Sequence, residues 1–293
     1  MVMPLAAAVL LCVAWSIYWF VASSIAKETL VGERAGLARR GISLTCSSEI
    51  WGGFPFRFEF SCANPSVTRL DAPLFKSANL KAIAQAYYPW HVLVLLDGPT
   101  GISHGYGETF TINHQRALAS LLFRNTAGPE FSMELPNAKI DSLFDAKSIQ
   151  IHTRPEGGGT QGLAISMTGV HHQRPGRPHL DIDSVDLLGT LQLDRQLQVH
   201  SIVLKRKEIT WQGTGEVRLD PQTRIAGTLH TETNDLDGLL AILEPHLVMT
   251  DQQRLAFKTV MGLLGQQAKA DVIAKDGELY IGPFKIAELL PLT

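Results

Sequence analysis

Cys46-Ser-Ser-Glu-Ile-Trp51-Gly-Gly-Phe54-Pro-Phe56-Arg-Phe58-Glu-Phe60-Ser-Cys62 is the stretch from which the fold class follows. Phenylalanines fall at every second position from 54 to 60, with Pro55, Arg57 and Glu59 between them. Side chains alternate across a strand, so the spacing predicts a β-strand with an aromatic face and a charged face. A helix would scatter the same rings around its axis. Gly52-Gly53 suits a tight turn, because glycine reaches positive φ without steric cost. Pro55 has no N–H to give a ladder, which places it at a strand start or on an edge. Trp51, Phe54, Phe56, Phe58 and Phe60 thus form an apolar face. It reads either as core or as one wall of a groove for an apolar ligand, with Tyr87, Tyr88, Trp90 and the leucines of two late helices as the other walls. Four buried phenylalanines would contribute on the order of 6–12 kcal/mol before entropy is counted.

Cys46 and Cys62 enclose 15 residues. In an oxidising compartment they are expected to pair, adding roughly 3 kcal/mol by loop entropy. The rival readings, a redox pair or half a zinc site, call for close Cys-x-x-Cys spacing or for further ligands nearby. Neither pattern is present.

Pro4 to Ala26 is a run of 23 residues without a charge. As a helix it would span about 34 Å, enough for a bilayer's hydrocarbon core. Trp15, Tyr18, Trp19 and Phe20 cluster in its second half, as interfacial aromatics do. A cleaved signal peptide is the alternative, with small-residue sites near Ser24 and Ala26. The run is long for a signal peptide, which favours a retained anchor. Cys12 is then an unpaired thiol in lipid. Lys27, Arg34, Arg39 and Arg40 follow the run, which taken literally would keep the bulk of the chain in the cytoplasm. Long domains translocate largely regardless of charge, and the cysteine pair favours export, so the bulk is expected to face the periplasm.

The expected domains are an anchor at 1–26, a linker helix and first strand at 27–45, and a β-rich domain at 46–293, with halves 46–175 and 176–293. The fold class is α+β, mostly β: an N-terminal transmembrane helix, an extended antiparallel sheet and two C-terminal helices. A short helix is expected over Glu28–Arg40, and strands over Ser66–Leu70, Asn79–Ala86, His91–Leu96, Glu130–Leu135, Lys147–Thr153, Ser201–Thr210 and Ile225–Thr231, among others. His114–Phe123 fits strand or helix. Asn234 is the expected cap of a helix to Leu247, and Thr250-Asp-Gln-Gln253 opens a second. Asp276-Gly277 marks the turn of a closing hairpin. Arg154–Gly159 and His171–His179 read as exposed loops.

The N-terminal apolar segment, the Gly53-Phe-Pro-Phe-Arg57 core between cysteines and the Asp276-Gly277-Glu-Leu-Tyr-Ile-Gly282-Pro283 tail resemble a family of bacterial envelope proteins, domain of unknown function 2125. The likeness covers nearly the whole chain. It implies an anchored or exported protein with no assigned catalytic residues. A looser likeness is to AsmA-like envelope proteins, which are linked to lipid handling.

The chain carries 26 Lys and Arg against 28 Asp and Glu, a net charge of −2, which gives no electrostatic case for nucleic acid. The nucleophile-elbow, phosphate-loop and His-Glu-x-x-His patterns are absent. His171-His172 would face opposite ways on a strand, and Asp181, Asp183 and Asp186 read as an acidic strand face rather than a calcium site. Arg57 and Glu59 share a face and read as an ion pair. No cofactor, metal or catalytic set is expected. The leading function is a non-enzymatic inner-membrane protein that binds lipid or another apolar ligand. The alternative is a ligand-free scaffold for an envelope complex, and a hydrolase is the remote third.

Overall fold

The computed structural model describes residues 2–70, 72–103, 109–124, 128–141, 144–173, 178–194, 196–243, 255, 259 and 268–289. The chain divides into two compact units, Met1–Arg124 and Asn125–Thr293.

The first unit opens with helix α1, Val2–Arg39. The expected anchor and the expected linker helix are therefore one continuous helix, since no glycine or proline interrupts the turns from Leu5 to Val31. Ten strands follow: β1 Ile42–Thr45, β2 Ser48–Gly52, β3 Arg57–Ala63, β4 Ser66–Arg69, β5 Ala72–Lys76, β6 Asn79–Gln85, β7 Tyr88–Asp97, β8 Thr100–Ser103, β9 Thr109–Asn113 and β10 Ala117–Leu122. Pairing is antiparallel throughout: β2–β3–β6–β7–β10 on one side and β1–β4–β5–β8–β9 on the other. Consecutive strands such as β3 and β4 are thus two segments of one long strand, broken at a shared level.

The breaks have chemical causes. Asn64 (φ 47°) precedes the fully buried Pro65, and Gly98 precedes Pro99 in a cis peptide. Neither proline supplies a ladder N–H. The line is stitched instead by Asn64 N to the Ala78 carbonyl at 3.0 Å and Ala78 N to the Asp97 carbonyl at 3.2 Å. Ser77 Oγ donates to the Asp97 carbonyl at 2.7 Å, and Thr100 Oγ1 meets His114 Nε2 at 2.8 Å. The Arg116 guanidinium holds the Asp97 carboxyl below the usual carboxylate range, chiefly through their hydrogen bond. The Cys46–Cys62 disulfide, with Cα atoms 5.4 Å apart, crosses the sheet beside this line. Of the segment His114–Phe123, Ala117–Leu122 resolves as strand β10, each residue in register with one of β7.

The second unit is a meander in which each strand pairs with the next: β11 Glu130–Ile140, β12 Phe144–Gly157, β13 Thr160–His172, β14 Leu180–Leu191, β15 Leu197–Arg206, β16 Ile209–Leu219 and β17 Ile225–Thr233. Helix α2, Leu236–Leu243, then intervenes, and β18 Ala268–Lys275, β19 Glu278–Ile281 and β20 Phe284–Glu288 close the sheet. The strand expected at Ser201–Thr210 is two strands, because Lys207 takes positive φ (52°) at a tight turn. Arg154–Gly157 belongs to β12 rather than to a loop, and only Gly158 and Gly159 turn. His171 and His172 end β13, opposite Asp181 and Leu180, rather than lying in a loop.

The expected pair of C-terminal helices is corrected. Among the described residues α2 is short, and three strands follow it. Most of the helix expected from Thr250 lies outside the described residues, though Leu255 and Thr259 are helical. The cap is also one residue later than expected: Asp235 Oδ1 accepts from Gly238 N at 2.9 Å. Asn234 is committed elsewhere, accepting from Thr210 N and donating to the Glu208 carbonyl. The Asp276-Gly277 hairpin turn forms as expected, both residues at positive φ.

Candidate functional site

Two features stand out, one in each unit. In the first, α1 is strapped along the sheet. Trp15 Nε1 donates to the Pro55 carbonyl at 2.8 Å, Tyr18 Oη to the Ala86 carbonyl at 2.7 Å, and Trp19 Nε1 to the Arg57 carbonyl at 2.9 Å. Further along, Lys27 Nζ lies 5.6 Å over the Trp51 ring, Arg34 pairs with Glu49 at 2.6 Å and covers Phe60, and Leu70 N bonds the Gly41 carbonyl. The helix therefore follows the sheet from the turn at 54–56 to Glu49 on β2, and the chain just beyond it meets Leu70.

The aromatic face is divided by this helix. Phe58 and Phe60 stand on β3, as the alternation predicts. Phe54 and Phe56 sit on the turn before it, since the Phe54–Pro55 peptide is cis and Gly53 turns the chain at φ 99°. Trp19 is 7% exposed, edge-on to Phe54 at 5.3 Å and stacked on Phe58 at 5.8 Å. Trp51 packs on Phe60 at 4.9 Å. Phe54 and Phe56 remain 51% and 65% exposed. Arg57 and Glu59 pair at 2.5 Å, with Lys81 on the same carboxylate at 2.8 Å.

The second feature is an apolar cavity of about 270 Å³ under α2. Leu236, Leu239 and Leu243 from α2 form one wall; Trp211, Val272 and Ile281 from the sheet form another. Strand alternation builds it. Leu279 and Ile281 point in from β19, while Glu278 and Tyr280 point away to a separate polar cluster. There Lys285 meets Glu278 at 2.6 Å and Glu288 at 3.0 Å. Those two bonds push the Lys285 amine up to about 12, and the hydrogen bonds from Lys285 and Tyr280 hold the Glu278 carboxyl below its ordinary value. Thr231 and Thr233, each 7% exposed, also border the cavity, and each satisfies its hydroxyl on a backbone carbonyl. Glu232, which also borders the cavity, is engaged by Gln212 and Lys269, so the rest of the wall is a surface suited to hydrocarbon.

Trp51 and the phenylalanines belong to the first unit and serve the helix, whereas the α2 leucines line a cavity in the second. Sequence reading found the leucines, through their helical spacing, but missed Trp211, Leu204 and Val272. Period-two alternation on the last strands was the available signal. Among the described residues no group of three or more His, Cys, Asp and Glu is placed to hold a metal. Asp181, Asp183 and Asp186 are engaged singly, by His171, by Lys207 N and by Ser166.

Comparison with protein families matches residues 19–289 to a family described as an uncharacterized protein conserved in bacteria (DUF2125). The chain belongs to this family. Comparison with curated proteins and with solved structures gave no match. The looser likeness to AsmA-like proteins gains no support from them.

Proposed function

We propose that this protein is a non-enzymatic, membrane-anchored envelope protein that takes up an apolar chain, such as a lipid acyl group, in the cavity beneath α2. The cavity carries the reading. It is walled by leucines, an indole and β-branched side chains, and it lies just below the roughly 300–1,000 Å³ range of ordinary small-ligand sites. That size suits part of an acyl chain rather than a whole lipid.

The anchor is α1, retained rather than cleaved. Trp15, Tyr18 and Trp19 are integral to the first unit, and the family match begins at Trp19. Removing the segment before Ala26 would strip three hydrogen bonds and a buried indole from the sheet. The disulfide favours a periplasmic location for both units, since cytosolic thiols are kept reduced.

The test is quenching of tryptophan fluorescence by a brominated fatty acid, on the full chain in detergent micelles. A saturable component of the quenching that is lost in Trp211→Phe and weakened in Leu239→Glu supports uptake at this cavity. Equal quenching in all three proteins overturns it and leaves a ligand-free scaffold as the better reading.

A further inference from the structure

We infer that the paired turns at 54–56 and 86–87 form a membrane-inserting tip, seated among the acyl chains of the bilayer that α1 crosses. The inference rests on the anchor reading above and deepens it: the first unit sits into the bilayer rather than standing off on a stalk.

Three observations carry it. The first is depth. The turns are fastened to α1 at Trp15, Tyr18 and Trp19, whereas the first charge after the apolar run is Lys27. At about 1.5 Å per residue, the fastening points lie roughly 12–18 Å along the helix from Lys27, back into the charge-free run. A bilayer that covers this run reaches the turns.

The second is composition. Neither Gly52-Gly-Phe-Pro-Phe56 nor Ala86-Tyr-Tyr-Pro-Trp90 holds a charge. Phe56 is 65%, Tyr87 62% and Trp90 46% exposed, and on the helix Phe20, 61% exposed, stacks on Phe54 at 5.6 Å. Each of these side chains is a large apolar body with at most one polar atom to satisfy.

The third is backbone satisfaction, which hydrocarbon demands and water does not. Five carbonyls of the tip are capped: Gly53 by Arg57 N, Pro55 by Trp15, Phe56 by Ala86 N at 2.8 Å, Arg57 by Trp19 and Ala86 by Tyr18. Pro55 and Pro89 have no N–H to satisfy. An exposed turn in water would have no need of such capping. The same continuity with α1 favours lipid over a protein partner as the occupant.

The experiment uses the full chain with Cys12→Ser and one environment-sensitive NBD probe, placed by Phe56→Cys, Tyr87→Cys, Leu10→Cys or Ala72→Cys. Ala72 lies at the opposite end of the same sheet. Each protein is reconstituted into phosphatidylethanolamine–phosphatidylglycerol vesicles containing phosphatidylcholine brominated on its acyl chains. Blue-shifted emission and bromine quenching at positions 56, 87 and 10, but not at 72, support the tip. Water-like emission at 56 and 87 with quenching at 10 overturns the tip and leaves the anchor standing. Blue-shifted emission at 56 and 87 without bromine quenching overturns it in favour of a protein contact. Water-like emission at all four positions removes the anchor, and the tip with it.

Discussion

Trp19 donates its indole N–H to the Arg57 carbonyl at 2.9 Å while its ring stacks on Phe58 at 5.8 Å. One residue of an apolar helix is thus built into the start of a strand. Trp19→Ala removes both links and leaves a void, and is expected to cost about 3–5 kcal/mol. Trp19→Phe keeps most of the packing and loses the donor, at about 1 kcal/mol. Denaturant unfolding of the full chain in micelles separates the two. Equal, negligible losses would show that the helix is not docked.

The Cys46–Cys62 bond ties β3 to the chain entering β2. Without reductant, thiol labelling of the denatured protein should modify Cys12 alone. Replacing both bridging cysteines with serine should destabilise by about 2–5 kcal/mol. Labelling at three positions before reduction would refute the bridge.

Gly215 on β16 and Gly227 on β17 lie at φ 154° and 151°, and a Cβ on either would meet a facing carbonyl oxygen at 2.1 Å. The strands approach this closely only because both side chains are hydrogen. Gly215→Ala and Gly227→Ala are each expected to cost about 1–3 kcal/mol. Gly36→Ala, on α1 with only an arginine tip nearby, should cost nothing. Thermal melts of the three variants check the contrast.

His171 Nδ1 and Asp181 Oδ1 lie 2.7 Å apart across β13–β14. That hydrogen bond raises the His171 pKa and lowers that of Asp181. The histidine's contribution is complete below its ordinary value near ~6.5 and is lost as pH rises through the raised folded value. The aspartate's contribution is present above its ordinary value and is lost as pH falls through the depressed one. The pair therefore helps most in the mildly acidic window between. Both side chains are more than half exposed, so solvent screening keeps the effect on stability small. The clean readout is an NMR titration, in which the His171 midpoint should fall in Asp181→Asn. An unchanged midpoint would mean the pair does not form in solution.

Much of this architecture was legible from local pattern. Alternation placed Phe58 and Phe60 on a strand, Asp276-Gly277 marked a hairpin, and leucine spacing marked α2. These are short-range signals, in which neighbours in sequence are neighbours in space. The cap at Asp235 was misplaced by one residue for a non-local reason, because Asn234 is held by the β15–β16 turn.

The sequence by itself determined the secondary-structure class, the apolar run and the cysteine pair, since each depends on side-chain type and spacing along one segment. Tertiary structure alone decided what those segments face. It alone separated Phe56 from Phe58, turned interfacial aromatics into hydrogen-bond donors for Pro55, Ala86 and Arg57, and joined Trp211 to leucines found later in the chain. The physical reason is that burial and hydrogen-bond partnership depend on residues tens of positions away. No local period encodes which carbonyl an indole will reach.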